Sequence, residues 1–154
     1  MAYQQYPVLS VGTASAQIHM QRKAGEPTSP PSSPDHWFFV YDNAECDEND
    51  KSGFLAPVGW DVGNEADRAI AAGSPVYLRI NTRYLGSGNA TSLYSRVECT
   101  SVARFTPRAG ASYVAYHDTF SSTCPAIVID KATGKAPDDF QLVPIEGLCQ
   151  KFNT

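Results

Sequence analysis

The sequence has 154 residues, 42% of them hydrophobic and 18% charged, which excludes a disordered or collagen-like chain. The formal net charge of -4 argues against general nucleic-acid binding, because that function needs a basic surface. No apolar stretch approaches the roughly 20 residues that cross a bilayer. Eleven glycines and eleven prolines between short apolar runs favour a single all-β domain over residues 1–154.

The first third of the chain predicts short strands and long loops. Residues 7–11 and 16–20 are extended pieces, and residues 21–35 form an exposed loop rich in proline and serine. The apolar stretch 36–41 predicts a central strand that is buried on both faces. The acidic loop 42–50 lacks the glycine and the closing glutamate of a calcium loop, so no metal site is predicted there.

The next stretch contains the only predicted helix. Residues 53–61 predict a short bent strand. Residues 64–73 favour a helix, because Asn64 can cap it, alanine is frequent and Gly73 can end it. An irregular edge segment is the alternative for residues 64–73.

The second half of the chain predicts strands with regular alternation. Along residues 75–84 and 92–105, apolar and polar side chains alternate with a period of two, as in strands with one buried face. Three further strands are predicted at residues 112–120, 125–130 and 140–144. Together these seven to nine strands favour a two-layer antiparallel β-sandwich, immunoglobulin-like in outline, with at most one short helix.

Positive charge is concentrated in one segment. Residues 68–117 contain six arginines, no lysine and one acid, a net charge of +5 that leaves -9 for the rest of the chain. If strands 75–84 and 92–105 are antiparallel neighbours, their polar side chains share one face of a sheet. Guanidinium groups bind carboxylates bidentately, so that face is a candidate binding site for an acidic partner. Its predicted residues are Tyr77, Arg79, Arg83, Arg96 and Arg104. The alternative is that these arginines cover strands and pair with internal acids.

Four cysteines allow three disulfide connectivities, and their spacing indicates neither a zinc ribbon nor a thioredoxin-type site. If strands 99–105 and 112–120 pair as neighbours, their outer ends meet and a Cys99–Cys124 bridge is favoured, which leaves Cys46 for Cys149. Disulfides indicate an oxidising compartment, so we expect that a leader preceded Met1. Four buried thiols in a cytosolic protein are the alternative.

No catalytic signature is present in the sequence. Gly-x-Ser-x-Gly, HExxH and phosphate-binding glycine loops are all missing. His19, His36 and His117 have no recognisable partners, and the adjacent His117 and Asp118 point to opposite faces of a strand. We therefore expect a protein that is not an enzyme and needs no cofactor.

Two segments resemble known structural patterns. Residues 110–113 after the turn are similar to the tyrosine corner of immunoglobulin-like sandwiches, in which a tyrosine hydroxyl bonds back to upstream backbone. Ala115 stands where a true immunoglobulin domain has cysteine. The pattern Cys99…Phe105-x-Pro-x-x-Gly-x-x-Tyr113…Cys124 resembles one found in small bacterial envelope proteins, often lipoproteins. This resemblance implies a periplasmic or extracellular β-sandwich, with a lipid-anchored form as one version, and it implies no catalytic residues.

The expected function is a non-enzymatic secreted or envelope-anchored protein that binds or scaffolds another macromolecule. The partner would be another envelope protein or an acidic surface, bound by the arginine-rich face or by the 21–35 loop. An inhibitor or immunity-type protein that blocks a secreted enzyme is one alternative. The other is a small-ligand or glycan-binding module, for which Trp37, Trp60 and Tyr94 are the candidate aromatic residues.

Overall fold

The computed structural model describes residues 3–29, 32–85 and 96–144, and within these ranges the chain forms nine strands and no helix. In chain order the strands are β1 (Ser15–Gln21), β2 (Asp35–Tyr41), β3 (Gly53–Val58), β4 (Glu65–Ala71), β5 (Val76–Leu85), β6 (Arg96–Phe105), β7 (Ser112–His117), β8 (Ala126–Asp130) and β9 (Gln141–Val143). This part of the chain accordingly contains no helix able to span a membrane.

The strands form two packed sheets. The four-stranded sheet has the order β4-β1-β7-β8, and the five-stranded sheet has the order β3-β2-β5-β6-β9. All neighbouring strands run antiparallel except β1 and β7, which run parallel. The predicted two-layer sandwich is confirmed, and the condition set for the arginine-rich face is met, because β5 and β6 are antiparallel neighbours.

The core lies between the two sheets and is filled by alternate side chains of their strands. On β5, Val76, Leu78 and Ile80 are buried while Tyr77 is directed to the other face and is half-buried, as the alternation predicts. Both sheets contribute large apolar residues to this core: Ile18, Met20, Ile70, Tyr113 and Val128 from the four-stranded sheet, and Phe38, Val40, Leu55, Leu78, Ile80 and Phe105 from the five-stranded sheet. Each such side chain stabilises the fold by roughly 1.5–3 kcal/mol.

The helix predicted for residues 64–73 is wrong, because this segment contains the edge strand β4. All seven residues of β4 pair with β1, from Glu65 opposite Gln21 to Ala71 opposite Ser15. Ile70 is fully buried, whereas Glu65 and Asp67 are exposed. A helix of two to three turns is marginal by itself, so the hydrogen-bond ladder with β1 outweighs the helix propensity of the alanines.

The strand predicted at residues 7–11 is also wrong. The ordered contact of the N-terminal segment lies just before it, where Gln5 forms a parallel bridge with Phe54 and Tyr6 is buried. Val8 and Val11 are fully exposed. Residues 8 and 11 therefore contribute no apolar side chain to the core.

The Cys99–Cys124 disulfide is present, but the hairpin used to predict it is wrong. β6 belongs to the five-stranded sheet and β7 to the four-stranded sheet, so the chain crosses between sheets at residues 106–111. The bridge, with a Cα–Cα distance of 6.4 Å, therefore links the two sheets. Cys46 is fully buried and disulfide-bonded. The predicted Cys46–Cys149 pairing cannot be compared with the structure, since Cys149 lies outside the described residues.

The predicted tyrosine corner is present at the sheet crossing. The Tyr113 hydroxyl accepts the backbone N–H of Arg108, five residues upstream, at 2.9 Å.

The loop 21–35 is only partly as predicted. Residues 27–29 are exposed, but Arg22 and Glu26 are 8% and 6% exposed because their charged groups enter a polar network described below.

Candidate binding face and buried histidine network

A depression of about 350 Å³ lies on the outer face of the five-stranded sheet. We call it the outer-face depression, and its lining residues are Tyr3, Trp37, Arg79, Asn81, Thr82, Arg83, Glu98 and Thr100. β2, β5 and β6 supply most of them, because every second side chain of these strands points away from the core. Seven of these eight residues therefore lie on three paired strands, and Tyr3 lies on the N-terminal segment.

One wall of the depression carries an ion pair beside an aromatic ring. Arg83 Nε lies 3.1 Å from Glu98 Oε1, and the two side chains are 48% and 60% exposed. The Arg83 guanidinium also lies 5.6 Å from the centre of the Trp37 ring. Next to them, Thr100 donates a hydrogen bond to the Asn81 side-chain oxygen at 3.0 Å. An exposed ion pair of this kind adds little stability, so these groups can exchange their partners with a ligand.

Arg79 forms the floor of the depression and is not an exposed anion-binding group. It is 3% exposed, and its guanidinium lies 5.0 Å from the centre of the Phe39 ring. Burial lowers the pKa of Arg79, and its guanidinium donates to the Tyr41 hydroxyl. Around it, a second apolar cluster includes Phe39, Tyr41, Cys46 and Val102. The prediction that Arg79 presents its charge to a partner is therefore wrong in this respect.

The remaining predicted binding residues lie along the same strands but do not meet. Tyr77 and Arg104 are cross-strand partners at the opposite end of β5 and β6, about six residues or roughly 20 Å from Arg83. They line a second depression together with Asp42 and Asp50 of the acidic loop. Arg96 pairs with Leu85 in the ladder, but its side chain lies outside the described part. The predicted arginine-rich face is thus an elongated strip with separated charges.

A polar network that sequence analysis does not predict is buried at one end of the core. Glu26 Oε1 lies 2.9 Å from His36 Nε2, and His36 Nδ1 lies 2.6 Å from Thr82 Oγ1. Thr82 Oγ1 is also 2.6 Å from His117 Nδ1, and His117 Nε2 is 2.8 Å from Ser101 Oγ. His36 and His117 are both 0% exposed.

The loop at residues 22–34 closes this network. The Thr119 hydroxyl donates to the second Glu26 oxygen, and Arg22 Nη1 lies 3.9 Å from Glu26 Oε1. Arg22 also donates through Nη1 to the Pro34 carbonyl oxygen at 3.2 Å. Buried charges of this kind are tolerated only when they are paired, which explains why Glu26 is held by several donors.

The expectation that the histidines lack partners is wrong for all three. His36 and His117 belong to the network, and His19 on β1 lies 2.7 Å from Asp67 on the neighbouring strand β4. One feature of the sequence could have indicated the network. Thr82 continues the inward-facing series of Val76, Leu78 and Ile80 with a polar side chain, and Thr82 is 2% exposed.

The network is poorly suited to acid–base catalysis. Ser101 and His117 are placed as a nucleophile and its base would be, but burial, followed by the neighbouring His36, lowers the pKa of His117 to about 3. An efficient general base has a pKa near the working pH, so His117 would accept a proton weakly at neutral pH.

The acidic loop is organised by its own hydrogen bonds. Asp42 accepts from the Asn49 amide at 2.8 Å and from the Asn43 amide at 2.9 Å. Hydrogen bonds from Asn49 and then Asn43 lower the pKa of the Asp42 carboxyl. These contacts stabilise the ionised carboxylate within the loop.

The fold and these sites define a disulfide-linked β-sandwich with an outer-face depression and a buried histidine network. No protein-family model and no curated protein matches the sequence. The function proposed below therefore rests on the geometry of the described residues.

Proposed function

We propose that this chain is a non-enzymatic, extracytoplasmic protein that binds another macromolecule through the outer face of its five-stranded sheet. The supporting observation is the outer-face depression, which combines Trp37 with the exposed Arg83–Glu98 pair on rigid strands. Tryptophan and arginine are the side chains that most often dominate protein interfaces. The preferred partner is an envelope protein that presents a carboxylate-rich segment, because guanidinium groups recognise carboxylates bidentately.

Two observations support the location and the absence of catalysis. A disulfide that joins the two sheets is typical of proteins that fold in an oxidising compartment, with a lipid-anchored form as one version of the proposal. The two buried histidines are 0% exposed, so neither can reach a substrate without local opening of the sandwich.

The binding proposal is tested with Arg83→Glu combined with Arg104→Glu. Arg83 is half-exposed and Arg104 is partly exposed, so reversing both charges should leave the fold intact. The partner is first isolated from native envelope extract with the immobilised chain, and its dissociation constant is then measured by calorimetry. We expect affinity to fall by about tenfold or more, because the substitution places like charges across the interface.

Lys131→Glu combined with Lys135→Glu is the matched control. It changes the charge by the same amount on an exposed turn after β8, away from the proposed site. The control should bind as the wild type does. A partner that binds the Arg83/Arg104 variant with unchanged affinity would show that the outer face is not the binding surface.

Glycan binding is the second candidate, and the position of Trp37 favours it. Its ring borders a depression that also contains Asn81, Glu98 and Thr100, a combination suited to a sugar ring and its hydroxyls. Trp60 is 58% exposed but is not among the lining residues, and Tyr94 lies outside the described residues. A glycan ligand is indicated if Trp37→Ala abolishes binding to an oligosaccharide panel while Arg104→Glu does not affect it.

A further inference from the structure

The Cys99–Cys124 disulfide lies directly against an imidazole nitrogen. The Sγ atoms of Cys99 and Cys124 and a ring nitrogen of His117 all lie within 4.8 Å of one another. Cys99 Sγ lies 3.6 Å from His117 Nε2. Two thiolates and an imidazole form a set of ligands that zinc prefers in proteins.

The buried network orients His117 for this role. One arrangement that fits these contacts starts from the Glu26 carboxylate as an acceptor. His36 then donates from Nε2 to Glu26, Thr82 donates to His36 Nδ1, and His117 donates from Nδ1 to Thr82. The lone pair of His117 Nε2 then accepts a hydrogen bond from the Ser101 hydroxyl at 2.8 Å, which a metal ion would replace, and Nε2 also lies 3.6 Å from Cys99 Sγ. A metal-binding histidine typically donates the N–H of its other ring nitrogen to a nearby acceptor, as His117 Nδ1 does here to Thr82.

The disulfide borders an open depression of the protein surface. Cys99 and Cys124 line an open depression whose other side is the segment 119–123, together with Tyr84 and Glu98. Cys99 is half-buried and Cys124 is 8% exposed. A reductant and a hydrated metal ion can therefore approach from this side.

We propose that the reduced chain binds one zinc ion through Cys99, Cys124 and His117, so that the inter-sheet disulfide and a metal site are alternative states of the same three residues. A dithiol reductant supplies two electrons and two protons to the disulfide and is itself oxidised to a cyclic disulfide. Metal binding then releases both thiol protons to solvent, and His117 donates its Nε2 lone pair while it keeps its proton on Nδ1.

The test uses the full chain with Cys46→Ser and Cys149→Ser, so that reduction affects one disulfide. The protein is reduced with a dithiol, separated from it without oxygen, and titrated with Co²⁺ and then Zn²⁺. We expect one Co²⁺ per chain with thiolate-to-metal charge-transfer absorption, complete displacement by Zn²⁺, and no binding by the oxidised form. His117→Gln should weaken Zn²⁺ binding by about tenfold or more.

His19→Gln is the matched control, since His19 lies on β1 and pairs with Asp67 outside the proposed site. It should leave binding unchanged. Cys99→Ser with Cys124→Ser gives a second test that does not depend on the folding of the His117 variant. Binding that survives in this cysteine variant overturns the proposal. So does a reduced chain that binds no Co²⁺, or that loses its circular-dichroism sheet signal and does not regain it with Zn²⁺.

Discussion

Tyr113 fixes the segment that carries the chain from one sheet to the other. Its ring is 1% exposed and meets Phe105 edge to face, with 5.2 Å between ring centres. Its hydroxyl accepts the Arg108 backbone N–H, which has no strand partner at this crossing. The Tyr113 ring thus packs in the core, while its hydroxyl provides the acceptor for a loop N–H.

Removing the hydroxyl should destabilise the protein. Tyr113→Phe keeps the ring but leaves the partly buried Arg108 N–H without its acceptor, so we expect the free energy of unfolding to fall by about 1–3 kcal/mol. Urea denaturation followed by tryptophan fluorescence measures this. Tyr116→Phe is the control, because the Tyr116 hydroxyl makes no hydrogen bond within the described part of the chain, and it should change stability by less than about 0.5 kcal/mol. Equal stability of the two variants would contradict the corner's role.

The tyrosine corner could be predicted at the residue scale, but the histidine network could not. The corner is local, since Tyr113 bonds five residues upstream after a proline and a glycine. The network joins Glu26, Thr82 and His117, which lie on separate segments, and depends on how the two sheets face each other. Spacing along a sequence does not contain that information.

At the scale of the elements, the contact between β3 and the N-terminal segment depends on Gly53. The N-terminal segment lies along its edge, where Tyr6 donates its N–H to the Phe54 carbonyl oxygen at 2.9 Å and Phe54 donates to Gln4 at 2.8 Å. Tyr6 also accepts the Ala71 N–H of β4 through its hydroxyl. Gly53 has a φ of 154°, and a Cβ there would lie 2.5 Å from the Tyr6 nitrogen.

Gly53→Ala should therefore release the N-terminal segment. Backbone atoms at 2.5 Å have to move, so we expect a loss of stability beyond the roughly 1–3 kcal/mol of an unfavourable φ alone. Gly73→Ala is the control, because Gly73 has a φ of 97° but open space around it. Thermal unfolding and the rate of proteolysis before residue 10 measure the two variants. A smaller loss in Gly53→Ala than in the control would contradict this account.

The wrong assignment of β4 shows the limit of local sequence patterns for elements. Asn64, several alanines and Gly73 do form a helix-like signal, whereas strand formation there is imposed by β1. By contrast, β5 is predicted well because Val76, Leu78 and Ile80 face the core and Tyr77 and Arg83 face outward, although Arg79 is buried on the outer side. Regular alternation of apolar and polar residues therefore predicts secondary structure better than the helix propensity of single residues, which tertiary contacts can outweigh.

At the scale of the whole molecule, the Cys99–Cys124 bridge joins sheets that are also held by side-chain packing and by the hydrogen bonds of His117 with Thr82 and Ser101. Its residues are 25 apart in sequence, for which loop closure predicts roughly 3–4 kcal/mol of stabilisation. Cys99→Ala with Cys124→Ala should lower the free energy of unfolding by about that amount in urea denaturation. Ser122→Ala, an exposed change in the same loop, is the control. A loss below about 1 kcal/mol would show that the unfolded chain gains little freedom when the bridge is removed.

The architecture could be predicted as a class but not as a topology. Alternation and frequent glycine and proline indicate strands and turns, which is sufficient for a two-layer sandwich. Assigning each strand to a sheet requires knowing that the chain crosses over after Phe105, and Pro107 and Gly110 are equally compatible with a hairpin. The predicted disulfide is right because both topologies bring its cysteines together.

The parallel pairing of β1 with β7 joins two strands that are far apart in the sequence. Gln17 lies opposite Ser112, so β1 can pair with β7 only after the chain has been synthesised beyond residue 112. Until then a nascent ribbon of β1 and β4 exposes an unsatisfied edge to neighbouring chains. Such long-range closure slows folding, because the loop entropy is lost before the final contacts form.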